Sequence, residues 1–582
     1  MFRLLGLILV VLINRVVVGQ INLFDYDTLK YNHVILGSLD TIDQASRPLS
    51  SSFLFPNESV NTYWIQPNQL FHQGNSIYSI SHTTSEKLKF SALPHIGFGY
   101  SFGAQATQKL DFEFHQAFKQ GFLINALMHN FKTDGFFRNT NAQNSQYELD
   151  LARNGKVHSF QLKVRSIKVQ RNWSGGIQND SLLETLSTKL IPVLKENAQS
   201  INKNLIIELT NKFLILKDSS NLFGISTTNE YRLFKRFYTE RDSISSLYSI
   251  INLDSLKTND SLLQHSSINH VGLFFKSNRL NLEGGINSSY WKYSSFGYQN
   301  DTLEVGLYSQ VKLRLGDFSL DQKGNYNLSG AANGFQNLIQ LDGKLANFKL
   351  SVVHKITNEL PLVFQRFFYS NNVAYKTINL EKQLFQNFTL KLGRNFQKQN
   401  FQFTYELGQF NKIYQFDSQQ LIWRNDLNSS NGIYNQFSLK SHINWNWFNL
   451  HLKYQYTAID ETKRFVPPHA FDTRLFASGG IFKAKKLKAA VGMDFIITSS
   501  YRRLNFIPQM TIFDLENSSF NSISNGFMNL AAFASFEVEA FRLFIRLDNI
   551  AYFWQDRQIE IVNGYAFPSA QFKVGITWDF WN

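Results

Sequence analysis

The side chains that carry enzyme chemistry are present in this chain, but not in working arrangements. Thirteen histidines occur, with no His-Glu-x-x-His or comparable ligand spacing among them. Neither a Gly-x-Ser-x-Gly elbow nor a phosphate-cradling Gly-rich loop ending in Gly-Lys-Ser/Thr is found. His158-Ser159 and His265-Ser266 are neighbours along the chain only, whereas a nucleophile and its base must meet in space. Cysteine is absent, so no disulfide is used. No catalytic, cofactor-binding or metal-binding residue is therefore expected, no cofactor, and no enzyme. The chemistry that remains is that of fixed charge: 58 Lys and Arg stand against 44 Asp and Glu, a net charge of +14 at pH 7.

Those charges follow a pattern. Lys109, Asp111 and Glu113 alternate with Leu110, Phe112 and Phe114. Glu304, Lys312 and Arg314 share one parity, and Val305, Leu307, Val311, Leu313 and Leu315 the other. Lys486, Lys488 and Asp494 alternate with Leu487, Ala489, Val491 and Met493, and Arg542, Arg546 and Asp548 with Leu543, Ile545 and Leu547. Lys163, Arg165, Lys391 and Lys440, with the acids Glu148, Asp150 and Glu406, fall on similar polar faces. Period two means strands with one apolar and one polar face. Basic residues interleaved with aromatics also occur in nucleic-acid binders, but here the alternation sends the two types to opposite faces.

The elements that must position these charges are long strands. The chain is 43% hydrophobic and 15% aromatic, yet its mean hydropathy is slightly negative. Such a balance suits strands that show lipid one face and water the other. The runs are about 9–14 residues long, where a tilted membrane-spanning strand needs roughly 9–11. Soluble strands are shorter. No stretch after the N-terminus approaches the roughly 18 apolar residues of a spanning helix. The N-terminus itself reads as a signal peptide over residues 1–19: Met1-Phe2-Arg3, an apolar core from Leu4 to Ile13, then Val17-Val18-Gly19. An uncleaved anchor is the lesser alternative. Cleavage would place the mature chain outside the cytoplasm and away from nucleic acid.

Strands cannot end at an open edge in lipid, so the sheet must close. The expected fold is an all-β, transmembrane antiparallel barrel over residues 92–582 with about 18–24 strands, an even number near 22 being favoured. Arg153-Asn154-Gly155-Lys156 reads as a type I′ hairpin turn, and Gly316-Asp317 and Ser277-Asn278 as further turns. Stretches 218–230, 417–434 and 458–472 read as long polar loops. A parity slip near Ser166 reads as a bulge or strand end. Trp445, Trp447, Trp578 and Trp581 are candidates for interfacial girdles. Residues 20–91 read as a periplasmic leader, a partial plug or one early strand. In 180–200, Leu183, Leu186, Leu190 and Leu194 have near-helical spacing, with Ser181 and Glu184 as a capping box. Pro192 limits any helix to a short one, so a surface loop is slightly favoured.

The last residues carry a resemblance. Lys573-x-Gly575-x-x-Trp578-x-Phe580 resembles the C-terminal signal read by the barrel assembly machinery of outer membranes, with Trp581 and Asn582 as extra residues. "HQAFKQGFLINALMHNFKTDGFF" (115–137), "YRRLNFIPQMTIF" (501–513), "FMNLAAFASFEVEAFRLFIRLDNI" (527–550) and "YAFPSAQFKVGITWDF" (565–580) resemble the putative porin family of Bacteroidota. Gln571 stands where that pattern carries Arg. Recurrent Asp-Ser/Thr-apolar triplets, such as Asp180-Ser181-Leu182 and Asp254-Ser255-Leu256, resemble the O-glycosylation signal of the same phylum, though such pairs are also good loop and cap residues.

The resemblance implies an outer-membrane barrel with a pore-like role, in contact with lipid, the assembly machinery and small hydrophilic solutes. The polar faces would line the lumen: Lys109, Glu113, Lys163, Arg165, Lys312, Arg314, Lys391, Lys440, Lys486, Lys488, Arg542 and Arg546. Their basic excess favours a passive, anion-preferring porin, or else the charges pair between neighbouring strands. A gated or substrate-specific transporter of lipid or oligosaccharide, and a non-transport barrel, are the alternatives.

Overall fold

The computed structural model describes residues 26–28, 88–118, 121–218, 220–242, 248, 250–330, 334–376, 381–396, 399–418, 420–426, 430–460, 464–482, 486–514, 523–555 and 560–581. The expected signal peptide and nearly all of 20–87 lie outside the described residues. The wall is built from twenty-two strands. In chain order they are β1 His95–Gly103, β2 Thr107–Ala117, β3 Phe122–Thr133, β4 Ala142–Arg153, β5 His158–Trp173, β6 Ala198–Lys217, β7 Asn221–Glu240, β8 Thr258–Ser277, β9 Leu280–Ser295, β10 Tyr298–Leu315 and β11 Phe318–Ser329. Then follow β12 Phe335–Leu345, β13 Phe348–Glu359, β14 Gln383–Phe396, β15 Gln399–Asn411, β16 Gly432–Trp445, β17 Phe448–Ile459, β18 His469–Ile481, β19 Leu487–Thr498, β20 Met528–Val538, β21 Phe541–Asp548 and β22 Gln571–Trp581. Each pairs antiparallel with its chain neighbour. The last closes on the first, from His95↔Trp581 to Gly103↔Lys573.

The faces follow the period-two pattern. On β22, Phe572, Trp578 and Phe580 are exposed to the outside, while Lys573 and Gly575 are buried within. Gly575 has a reason to be glycine: a Cβ there would sit 2.4 Å from the Phe544 ring of β21. The aromatic ring of one strand covers the bare backbone of the next and pins the closing register.

Both ends of the wall, His95 and Trp581, lie at one rim. Tight connections sit there, including Gly316-Asp317 with Gly316 at φ 59° and Asn446-Trp447 with Asn446 at φ 56°. Most of the long connections, at 174–197, 241–257, 360–382, 412–431, 499–527 and 549–570, leave the other rim. By the habit of outer-membrane barrels the short-turn rim faces the periplasm.

Several expectations need correction. Residues 218–230 are not a loop. The connection ends at Ser220, and β7 runs on from Asn221 because its polar residues pair sideways, Asn229 Nδ2 donating to Asn269 Oδ1 at 2.9 Å. As a result β6, β7 and β8 reach 20 residues each, about twice what a membrane needs. Asn154-Gly155 is not a two-residue type I′ turn: neither residue has positive φ, and the strands end at Arg153 and His158. No bulge occurs at Ser166, where pairing with β4 and β6 is continuous. Ile167 and Val169 simply face inward. Trp581 is no girdle residue, because it shares the lumen parity of Lys573 and its ring lies 4.4 Å from His95. Trp445 and Trp447 are exposed at the short-turn rim as expected. In 180–200, only a 3-10 turn forms, at Asp180–Leu183, and its cap is Asn179 rather than Ser181: the Asn179 Oδ1 accepts from the Ser181 N–H at 3.0 Å.

Of the N-terminal segment, Tyr26–Thr28 pairs in parallel with Leu88–Phe90. Leu88 is buried with Leu123 and Ala152 at the short-turn end of β3 and β4. Lys89 Nζ donates to Glu113 Oε2 at 2.8 Å. Residues 88–90 thus lie inside the wall.

Candidate functional site: a charged lumen beneath a loop lid

Most sequence-predicted charges line the lumen, and the structure divides them into two groups. On one side they are paired. Lys109 lies 3.4 Å from Asp111, and Arg165 Nε donates to Glu148 Oε2 at 2.9 Å. Glu113 holds Lys89 and also contacts His115 at 3.0 Å. Lys488 and Arg542 share Glu537 at 3.1 and 3.0 Å. Arg546 joins Asp494 to Asp548, Arg474 Nη2 donates to Asp494 Oδ2 at 2.8 Å, and Lys573 meets Asp548 at 2.9 Å. Buried charges survive only when paired in this way. Lys573 is thereby a structural partner beside the closing seam. Lys163 stands opposite Asp150 in register.

On the other side the bases are barely neutralised. Lys312 lies 3.9 Å from Asp321. Arg314, Lys391 and Lys440 are exposed on the lumen face, with no ion pair among the described residues. Lys486 is the exception to the predicted set. It precedes β19 by one residue, exposed in the turn at the short-turn rim, because the strand starts only at Leu487.

At the opposite mouth the described parts of the long loops fold inward onto the wall. Short hairpins stiffen them: Phe367–Tyr369 with Ala374–Lys376, Gln415–Asp417 with Ile422–Arg424, and Asn505–Ile507 with Ile512–Asp514. Their apolar residues share cores with the wall. Phe364, Phe368, Trp423, Met510 and Ile512 pack with Leu262 of β8 and Tyr293 of β9. Leu504, Phe513, Val562 and Phe567 pack with Phe385, Phe410 and Tyr434 from β14 to β16. Burying such side chains contributes about 1.5–3 kcal/mol each.

The 499–527 loop is the hub. It leaves between β19 and β20, yet reaches β7, roughly half-way round the closed order. There Arg236, 2% exposed, donates through Nη2 to the Gln509 carbonyl and to Thr511 Oγ1 at 3.1 Å, and approaches the Pro508 carbonyl at 3.5 Å. The Phe506 ring lies 4.9 Å from Trp173 of β5. Gln509 Nε2 donates to Ser370 Oγ and Asn372 Oδ1, both at 3.3 Å. Arg503 pairs with Glu560, and Asn563 with Asn505. Burial pushes the Glu560 carboxyl up, and nearby Asp180 adds to this; the Arg503 guanidinium pulls the other way. A second latch holds the 174–197 loop: Lys195 Nζ donates to both Glu240 oxygens at 2.9 Å. Burial pushes the Lys195 ammonium down, against the pull of Glu240.

Arg236, Gln509, Lys195 and Arg503 were not among the sequence-predicted residues. The available signal was Phe234, Arg236, Tyr238 and Glu240 sharing one lumen-facing parity. Aromatic residues on a supposedly watered face mark where something packs. The 501–513 segment, singled out only by resemblance, is the hub of this lid.

A family model described as "Putative porin" matches residues 58–582. This chain belongs to that porin family. It is accordingly an outer-membrane, multi-pass β-barrel and not an enzyme. No curated protein matches. Among solved structures, the siderophore receptor PiuA from Acinetobacter baumannii aligns with a TM-score of 0.56 at 10% identity, covering 84% of this chain and 82% of that one. The copper transporter OprC gives 0.58 at 9%, covering 84% and 81%. The ferric citrate transporter FecA, unliganded, gives 0.56 at 12%, covering 87% and 82%. At such identities these likenesses establish a shared fold.

Proposed function

We propose that this chain is a gated outer-membrane channel for small hydrophilic solutes, and that the 499–527 loop is its gate. The observation that carries this reading is the grip of Arg236 on Pro508, Gln509 and Thr511. A loop rooted on one wall, bonded to the far wall and packed on both sides, stands in the path of any solute. This favours gating over the passive porin expected from the lumen charges alone. The named cargoes of the structural neighbours, siderophores, copper and ferric citrate, are consistent with a transport role for such a wall. Membrane insertion supplies no driving force for opening, so the gate must be biased by a ligand or partner that binds the open form better.

Planar-bilayer recording tests this. The unaltered chain is expected to pass little current. Replacing 505–512 with a short Gly-Ser linker is expected to give stable open steps. Large, steady steps from both forms would contradict the proposal.

A further inference from the structure

The unbalanced bases are not spread around the lumen. One row of laterally paired positions runs across seven strands: Lys344 (β12), Lys349 (β13), Gly393 (β14), Gln402 (β15), Lys440 (β16), Lys453 (β17) and Asp472 (β18). The next row carries Arg314, Ser319, Asp342, Ser351, Lys391, Thr404 and Ser438. All share the lumen parity. Two pairs of like charges stand directly opposite, Lys344 with Lys349 and Lys440 with Lys453. Like charges so placed are destabilising unless offset; Asp472 stands opposite Lys453 for the second pair, whereas the position opposite Lys349 on its other flank is Gly393. Six bases face two acids over these two rows, whereas across the lumen the bases sit in tight ion pairs. The remaining positions of the two rows are a glycine, an amide and four hydroxyls, all neutral. The row also climbs. Lys344 is one residue from the strand end at the short-turn rim, and Lys440 is five. The four lysines at 344, 349, 391 and 440 are exposed.

We infer that this arc is a binding site for a multivalent anion, a small solute bearing several phosphate or carboxylate groups. It is reached from the short-turn side and lies beneath the lid. Ammonium groups set on neighbouring strands of a concave wall add their potentials inward, and together can hold a polyanion through several charge-assisted bonds. The inference deepens the transport reading by naming the class of solute, and it rests on that reading only for the passage of the solute, not for its binding.

Titration calorimetry of the full chain in detergent, with inorganic tripolyphosphate as probe, tests it. Binding is expected, weakening steeply as salt rises. The set Lys344→Gln, Lys349→Gln, Lys391→Gln and Lys440→Gln is expected to lose at least about tenfold in affinity. A gentler second variant is Gly393→Glu. A Cβ at Gly393 meets nothing closer than 3.8 Å, so a carboxylate fits between Lys349 and Gln402. It should abolish binding, while Gly393→Gln keeps it. Absence of binding to the unaltered chain, or equal binding by Gly393→Glu and Gly393→Gln, overturns the inference. Flux plays no part in this readout. A chain that binds tripolyphosphate but passes no current when its lid is replaced keeps the site and loses the gate.

Discussion

Arg236→Ala is expected to raise the fraction of time the channel is open about ten- to a hundredfold. One guanidinium gathers acceptors from three residues of the loop, in a site closed to water. Bonds to a charged donor contribute about 1.5–3 kcal/mol each. Losing a net 1.4–2.8 kcal/mol, about ten- to a hundredfold, therefore requires only part of the set. Arg236→Lys should fall between, because a point charge on a flexible stem cannot serve the same spread of acceptors. Open fractions in single-channel records decide the matter. No change in Arg236→Ala would remove this side chain as the latch while leaving the apolar packing of Phe506 and Met510.

Asp494→Ala is expected to cost about 3–5 kcal/mol of barrel stability, the usual result of stripping one partner from a buried ion network. Asp494 accepts from Arg474 on β18 and Arg546 on β21, and so ties three strand pairs near the closing seam. After the change Arg474 loses Asp494, whereas Arg546 keeps Asp548. Arg546→Gln should cost less if Arg474 then holds Asp494 alone. The shift in urea midpoint of the detergent-folded barrel, followed by its heat-modifiable mobility, measures both. A loss below about 1 kcal/mol would mean that lumen water already screens the network.

The wall was legible in the sequence because a barrel in lipid repeats one constraint everywhere. Each strand must alternate, each must pair, and the last must close on the first. Phe572, Trp578 and Phe580 announced the outer face, whereas the cover that Phe544 gives the Gly575 backbone emerged only from the register of β21 and β22. Strand ends were less legible. Ser226, Thr227, Thr228 and Asn229 look like a loop, but here they form the middle of a tall strand whose polar side chains pair laterally. The lid was not legible at all as a lid. Its contacts join residues hundreds of positions apart, such as Arg236 with Gln509, and no local spacing encodes them. Nor could parity alone separate lumen bases with carboxylate partners, like Arg542 and Arg546, from those with no ion pair among the described residues, like Lys391 and Lys440. That depends on which strand lies next, and at what register.

A gate formed by the 499–527 loop would seal the lumen from the long-loop side. Because the chain has no cysteine, Lys440→Cys introduces a single thiol on the exposed lumen wall below the lid. The most direct measurement is its rate of reaction with a membrane-impermeant maleimide added outside intact cells. Slow labelling is expected with the lid present, and labelling at least about tenfold faster when 505–512 is replaced by a linker. Equal, fast labelling of both forms would contradict such a gate.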